Sequence, residues 1–248
     1  IDHLAASEGL DSNNRLAYDV VLLGCVRESR FAREKFVKLG KLITARGSEH
    51  VPSQEESALA AEVLVHALAG VRLGTEASVI RPDALMPLLR IHELHRIQAS
   101  VKSTEAIIAD ALVNAKMAHA LAPAAWTTNR ALLQSHLMAN DPKSSFQVVD
   151  RYLRQGGTHE ESLTAIVSTA RMSGEIAQAL PALKVGMNNS PMEKEWPGMI
   201  AAVMLEVGDV ENAAEIWWRV LEIDSSPTAI GRFVELEFRR QQPNMSRI

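Results

Sequence analysis

The sequence predicts an all-α fold, a superhelical stack of about six antiparallel helical hairpins. Three observations lead there. No stretch alternates apolar and polar residues with the two-residue period of a half-buried strand, and aromatics are only 4% of the 248 residues. Apolar residues recur instead at helical spacing in segment after segment. Turn residues at Asn140, Gly174 and Gly208 are separated by 34 and again by 34 residues. That is the period of a two-helix unit that buries its apolar side only against a neighbouring copy.

The elements follow in order. Residues up to about Asp11 read as a loose lead-in. One helix is predicted from Asn13 to Cys25 on Leu16, Val20, Val21 and Leu23. A second, capped by Ser29, runs to about Ala45 and ends near Gly47. Gly47 to Pro52 is a polar connection. Ser53 and Glu56 match the capping box, in which each residue's side chain bonds the other's backbone N–H, ahead of Leu59, Val63, Leu64, Ala67 and Leu68. Gly70 and Gly74 make residues 70–81 read as a looser connection, since glycine weakens a helix interior. Pro82 suits the first turn of the next helix, which carries Leu85, Leu88, Leu89 and Leu94, and Pro87 bends or restarts it. Ser103 or Thr104 opens an alanine-rich helix that Pro123 closes.

Beyond Pro123 the punctuation is regular. A helix from Ala124 to Met138 meets Asn140, after which Asp141 caps and Pro142 begins the next helix, ending at Gly156-Gly157. Thr158 and Glu161 give another capping box, for a helix that stops at Ser173-Gly174. Pro181 falls inside the partner helix as an unexplained irregularity. Ser226-Pro227 starts a final helix on Ile230, Phe233, Val234 and Leu236. The chain is thus expected to divide into an irregular half, 1–123, and a regular half with a capping helix, 124–248.

Within the regular half, five residues after each turn stand Ser145, Ala179 and Ala213, all small enough to let two helices close up. Nine after stand Val149, Leu183 and Trp217, and thirteen after stand Leu153, Met187 and Leu221, all apolar. The fullest copy is residues 195–227, with Gly208-Asp209 at its turn, then Ala213, Trp217, Asp224 and a late Pro227; Met204 occupies the place of the usual aromatic. These features resemble the tetratricopeptide (TPR) repeat, and the period is also close to that of the pentatricopeptide (PPR) repeat. The TPR resemblance implies binding of proteins, often peptides or helices in a concave groove. The PPR resemblance implies organellar RNA binding or membership of an organellar ribonucleoprotein.

Composition and motifs narrow the function. With 47% hydrophobic and 23% charged residues the chain can bury a sizeable core, and a net charge of −4 gives no global pull toward nucleic acid or membrane. Cys25 stands alone, which rules out an internal disulfide and a cysteine-based zinc site; its apolar neighbours mark a packed thiol. No apolar run approaches the roughly 20 residues of a membrane span. No signal peptide is visible, and a start at Ile1 is compatible with import and processing. His92 and His95 are three apart where a helical zinc protease needs four, so they read as surface histidines. Residues 70–78, GVRLGTEAS, lack the Lys-Ser/Thr ending of a phosphate-binding loop, and no serine sits in a nucleophile-elbow context. Ser246-Arg247-Ile248 only faintly resembles a peroxisomal address.

One segment breaks the charge balance. Residues 27–46 hold seven basic and two acidic residues, a net +5, and Arg30, Arg33, Lys38 and Lys41 fall opposite Ala32, Phe36, Leu39 and Ile43. Two readings stand: the solvated outer face of an amphipathic helix, or a contact patch for RNA phosphates or an acidic partner. Trp217 and Trp218 diverge by about 100° on a helix. Trp217 takes the buried repeat position, and Trp218 packs on the next helix or lies at a partner surface. Glu206, Asp209, Glu211, Glu215 and Glu222 form a solvated rim. The expected function is a non-enzymatic scaffold, specifically a protein-contacting subunit of a mitochondrial ribosome or RNA-processing ribonucleoprotein. The alternative is a cytosolic TPR adaptor for a peptide or chaperone tail. Its partners are other proteins of an assembly, with RNA touched only through the basic helix. No membrane insertion, small-molecule substrate, metal or cofactor is expected.

Overall fold

The computed structural model describes residues 12–46, 51–190, 195–221 and 226–240. The lead-in to Asp11, residues 47–50 of the polar connection, Glu222, Asp224 and the C-terminal Ser246-Arg247-Ile248 lie outside them. Every regular element among the described residues is helical. In order they are α1 Ser12–Arg46, α2 Gln54–Ile80, α3 Leu85–Val101, α4 Glu105–Leu121, α5 Trp126–Met138, α6 Pro142–Arg154, α7 Glu160–Ser173, α8 Ala179–Asn189, α9 Glu195–Glu206, α10 Val210–Leu221 and α11 Pro227–Arg239. A single 3-10 turn, Ile176–Gln178, leads into α8. The fold is an all-α stack of helical hairpins, built as two compact units divided between Asn140 and Asp141.

In the first unit, α1 is one helix of 35 residues rather than two. Its inward residues are Tyr18, Leu22, Cys25, Ser29, Ala32, Phe36 and Leu39, a strict alternation of four- and three-residue steps. That seam needs no break, so Ser29 is a fully packed mid-helix residue and not a cap. The predicted 70–81 connection is also helix. Gly70, Gly74 and their neighbours Ala67 and Ala77 line the buried side of α2. A Cβ on Gly70 would stand 2.7 Å from Leu94 Cδ1, and one on Gly74 would stand 2.7 Å from Ile91 Cγ1 and 3.3 Å from Cys25 Sγ. The glycines are there for close approach of α1 and α3, which offsets their helix cost.

The capping chemistry sets the ends. Glu56 N–H donates to Ser53 Oγ and Ser53 N–H to Glu56 Oε2, completing the predicted box at the start of α2. Pro82 does not begin α3; that helix starts at Leu85, and Pro87 sits in its first turn, where a missing N–H costs nothing. Thr104 caps α4, with its Oγ1 accepting from Ile107 N–H.

From Asn140, the last residue of the first unit, onward the 34-residue period shows physically. Asn140, Gly174 and Gly208 all adopt left-handed backbone, with φ of 56°, 74° and 85°. At Gly174 and Gly208 the next residue's N–H reaches back five places, Glu175 to the Ala170 carbonyl and Asp209 to the Met204 carbonyl, which is the Schellman closure. Asp141 and Ser226 cap α6 and α11 with a proline just inside, as predicted. His159 rather than Thr158 caps α7, its Nδ1 accepting from Glu161 N–H. Pro181 is no irregularity, because the 3-10 turn places it in the first turn of α8.

Ser145, Ala179 and Ala213 are each fully buried, as the repeat register requires. Replacing Ala213 with phenylalanine is expected to cost roughly 1–3 kcal/mol through overpacking. Thermal unfolding checks this, and an unchanged melting temperature would remove the register.

Candidate interaction surfaces

Chemistry on this chain has to come from what the helices leave facing outward. The basic face of α1 is the first candidate, and the structure supplies it with counter-charges from neighbouring helices. Arg30 pairs along α1 with Glu34 at 2.7 Å, Arg33 reaches Glu93 of α3 at 2.5 Å, Lys38 meets Glu55 of α2 at 3.6 Å, and Lys35 pairs with Glu62. Arg27 engages Glu28, whose carboxyl is held below its ordinary range first by the His66 hydrogen bond. Glu55, Glu62 and Glu93 together take the segment's +5 down to about +2. Lys41 remains an exposed cation on that helix. The solvated, ion-paired face therefore accounts for most of this segment.

His92 and His95 do not lie at the surface. Both are buried, and the i, i+3 spacing sets them on the inner side of α3 because α4 and α5 pack there. His95 Nδ1 lies 3.0 Å from Gln98 Oε1. Burial, reinforced by Arg96 and His95, pushes the His92 pKa down to about 4, while Glu93 and the Ala131 backbone oppose this. His92 Nε2 is buried without a hydrogen-bond partner among the described protein groups. Cys25 is likewise buried, and desolvation raises its thiol to about 11, so it is a packing residue. Among the described residues no three His, Cys, Asp or Glu side chains gather as a metal site would require.

The second unit carries two grooves between its helices. One, of about 360 Å³, lies between the starts of α7 and α9 over Leu163, Trp196 and Met199, with Glu160, Glu161 and Glu195 at its edge. The other, of about 470 Å³, lies among α8, α9 and α10, lined by Met187, Ile200 and Met204 with Lys184 and Arg219. Trp218 stacks on Phe233 of α11, ring centroids 5.3 Å apart and tilted by 50°. It packs on the next helix. The acidic rim is ion-paired rather than free: Glu206 holds Arg171 at 2.7 Å across α7 and α9, and Glu211 and Glu215 hold Arg240. Asp209 accepts from the side chain of Asn212.

Left-handed turns at the repeat period, fully buried small residues five places on and paired antiparallel helices settle the architecture. The repeat is TPR-like. No protein-family profile matches the sequence, and no curated protein does. Solved structures similar to the chain include MamA from Desulfovibrio magneticus RS-1, 11% identical with a TM-score of 0.44, the alignment covering 71% of this chain and 99% of that one. YrrB, described as a TPR protein with an unusual peptide-binding site, is 12% identical with a TM-score of 0.44, covering 77% and 94%. A thermophilic TPR protein of Thermus thermophilus is 16% identical with a TM-score of 0.38, covering 72% and 95%.

Motif reading passed over one surface of the TPR-like chain. On α1, Leu16, Val20 and Leu23 follow at i, i+4 and i+7 and are 66%, 60% and 59% exposed. On α2, Val65, Leu68 and Val79 are also exposed. By length and composition alone α2 could cross a membrane, with a mean hydropathy of 1.4 over an 18-residue window of which 28% is buried. The sequence reading expects no apolar run of membrane length, and α2 passes that test of length and composition because residues 70–80 continue the helix. Here α2 packs along α1 and α3, and its Glu62 and His66 bind groups of α1. On α1, Leu16, Val20 and Leu23 lie off the seam from Tyr18 to Leu39 that packs the helix.

Proposed function

We propose that this chain is a non-enzymatic scaffold that holds a protein partner against its helices. One observation carries the reading: the exposed Leu16, Val20 and Leu23 stripe on the 35-residue α1. Contiguous exposed apolar residues on a folded domain mark an interaction surface, and this one favours an apolar segment of a partner. The ribonucleoprotein reading comes from the PPR resemblance and touches RNA only through the basic residues 27–46. Carboxylates of α2 and α3 pair with three of those cations, which lowers the number of phosphates the helix can neutralise. A mitochondrial address is a separate proposal, tested by subcellular fractionation.

The test uses the intact protein and a triple variant, Leu16→Gln, Val20→Gln and Leu23→Gln, in affinity purification from the source cells, each sample split with and without RNase. Glutamine keeps helix propensity, so circular dichroism should be unchanged. A partner set that survives RNase and is lost from the variant supports the reading. Partners that vanish on RNase in both samples, or that persist on the variant, overturn it.

A further inference from the structure

The groove of about 470 Å³ among α8, α9 and α10 is built within the second unit alone. Its walls are α8 and α10, the second helices of consecutive hairpins, and its floor is Ile200 and Met204 of α9. The groove over Leu163 and Met199 uses a different flank of α9, between the first helices α7 and α9. Leu180, Met187 and Ile216 make the walls largely apolar. Lys184 stands ten residues past the Gly174 turn and Arg219 eleven past the Gly208 turn, so hairpins of equal period set the two cations at matching heights on facing walls. Both are exposed, and neither side chain has an ion-pair or hydrogen-bond partner among the described residues. The two carboxylates of the lining are engaged: Asp209 accepts from Asn212 Nδ2 at 2.8 Å, and Glu215 from Arg240 Nη1 at 3.2 Å.

We propose that this groove docks an acidic, apolar peptide segment of a protein partner, with large apolar side chains on the floor and carboxylates between Lys184 and Arg219. That the segment belongs to a partner rests on the scaffold reading; the chemistry of the groove does not. Charge decides the choice. A wholly apolar segment would cover two cations with nothing to pair them, which opposes binding. A phosphate chain would meet Asp209 and Glu215 along the same groove and would leave the apolar floor without a partner. A peptide can separate the two demands, seating apolar groups at one level and acidic groups at the next. Asp209 and Glu215 lie nearer the Gly208 turn than Arg219 does, so the acidic groups go to the end away from that turn. Met187 and Met204 are unbranched and polarizable, so the groove adapts to leucine, isoleucine or phenylalanine without selecting one.

The experiment follows the methionine ε-methyls by NMR in the full chain, where Met187 and Met204 report on this groove and Met199 on the other. The probe is the acetylated and amidated hexapeptide Leu-Leu-Ser-Leu-Glu-Glu. Its controls are the twin with glutamine for both glutamates, the twin with serine for every leucine, and a single-stranded RNA hexamer. The groove predicts saturable shifts of Met187 and Met204 with the probe, an unmoved Met199, and at least tenfold weaker binding in Lys184→Gln and in Arg219→Gln. Neither variant breaks an ion pair, so both fold as the parent does. No saturable shift, an equal response to either peptide twin, a parallel shift of Met199 or unaltered affinity in either variant overturns the site. Tighter binding of the RNA than of the probe assigns the groove to a phosphate chain and overturns the peptide occupant. Shifts that track protein concentration without any probe assign it to a second copy, with the same result. The triple variant on α1 keeps all of these residues, so the scaffold reading stands or falls apart from these outcomes.

Discussion

Replacing Gly186 with valine lowers the stability of the second unit by about 3 kcal/mol, at the upper end of what overpacking costs. Gly186 is buried on α8, and the six-membered ring of Trp196, itself 1% exposed, lies against its Cα. Even a single Cβ would fall inside van der Waals contact with that ring. An indole cannot fold aside as a leucine tip can, so the whole of α9 has to shift. A fall of roughly 10 °C in melting temperature is expected for a unit of this size. A companion variant, Gly186→Val with Trp196→Leu, relieves the collision and recovers part of the loss. If the single variant melts like the parent, α8 and α9 do not pack through this contact.

Acid destabilises the first unit through His92. Its folded pKa of about 4 lies below the ordinary 6.5, so the unfolded chain takes up a proton that the folded one refuses. The contribution is therefore whole above pH 6.5 and drains away as pH falls toward 4. A gap of this size corresponds to about 3 kcal/mol, because each pH unit of difference is worth about 1.4 kcal/mol. His95 is shifted the same way by burial and steepens the loss. Denaturant unfolding between pH 7 and 4 measures this slope, and His92→Gln, which cannot titrate, should flatten most of it. An equal slope in that variant would place the acid sensitivity elsewhere.

Much of the second unit was legible in advance, because glycine and asparagine at a fixed interval can do one thing well in a helical chain, which is turn left-handed. The caps at Ser53, Thr104, Asp141 and Ser226 were legible for the same reason: each is a local bond within four residues. What escaped was non-local. Gly70 and Gly74 look like breakers until Leu94 and Ile91 arrive from α3 to fill the space. Ser29 looks like a cap until the seam from Tyr18 to Leu39 is counted through it. His92 and His95 look exposed until α5 covers them, and the +5 segment looks like an anion site until Glu55, Glu62 and Glu93 fold against it. The exposed stripe at Leu16, Val20 and Leu23 was visible as helical spacing, but spacing alone does not tell which apolar side of a helix is covered.

The left-handed residues at Gly174 and Gly208 imply an arithmetic of chain length. Each closes a hairpin on the same backbone bonds, and each is followed five places on by a buried alanine, Ala179 or Ala213. The two sides of the interval are interchangeable, so a duplication of residues 175–208 would join without a new type of seam. An insertion of another length between a turn and its alanine would move that alanine out of its buried position. Related chains should therefore differ in this half by whole multiples of 34 residues, growing or shrinking by hairpins as a ladder does by rungs.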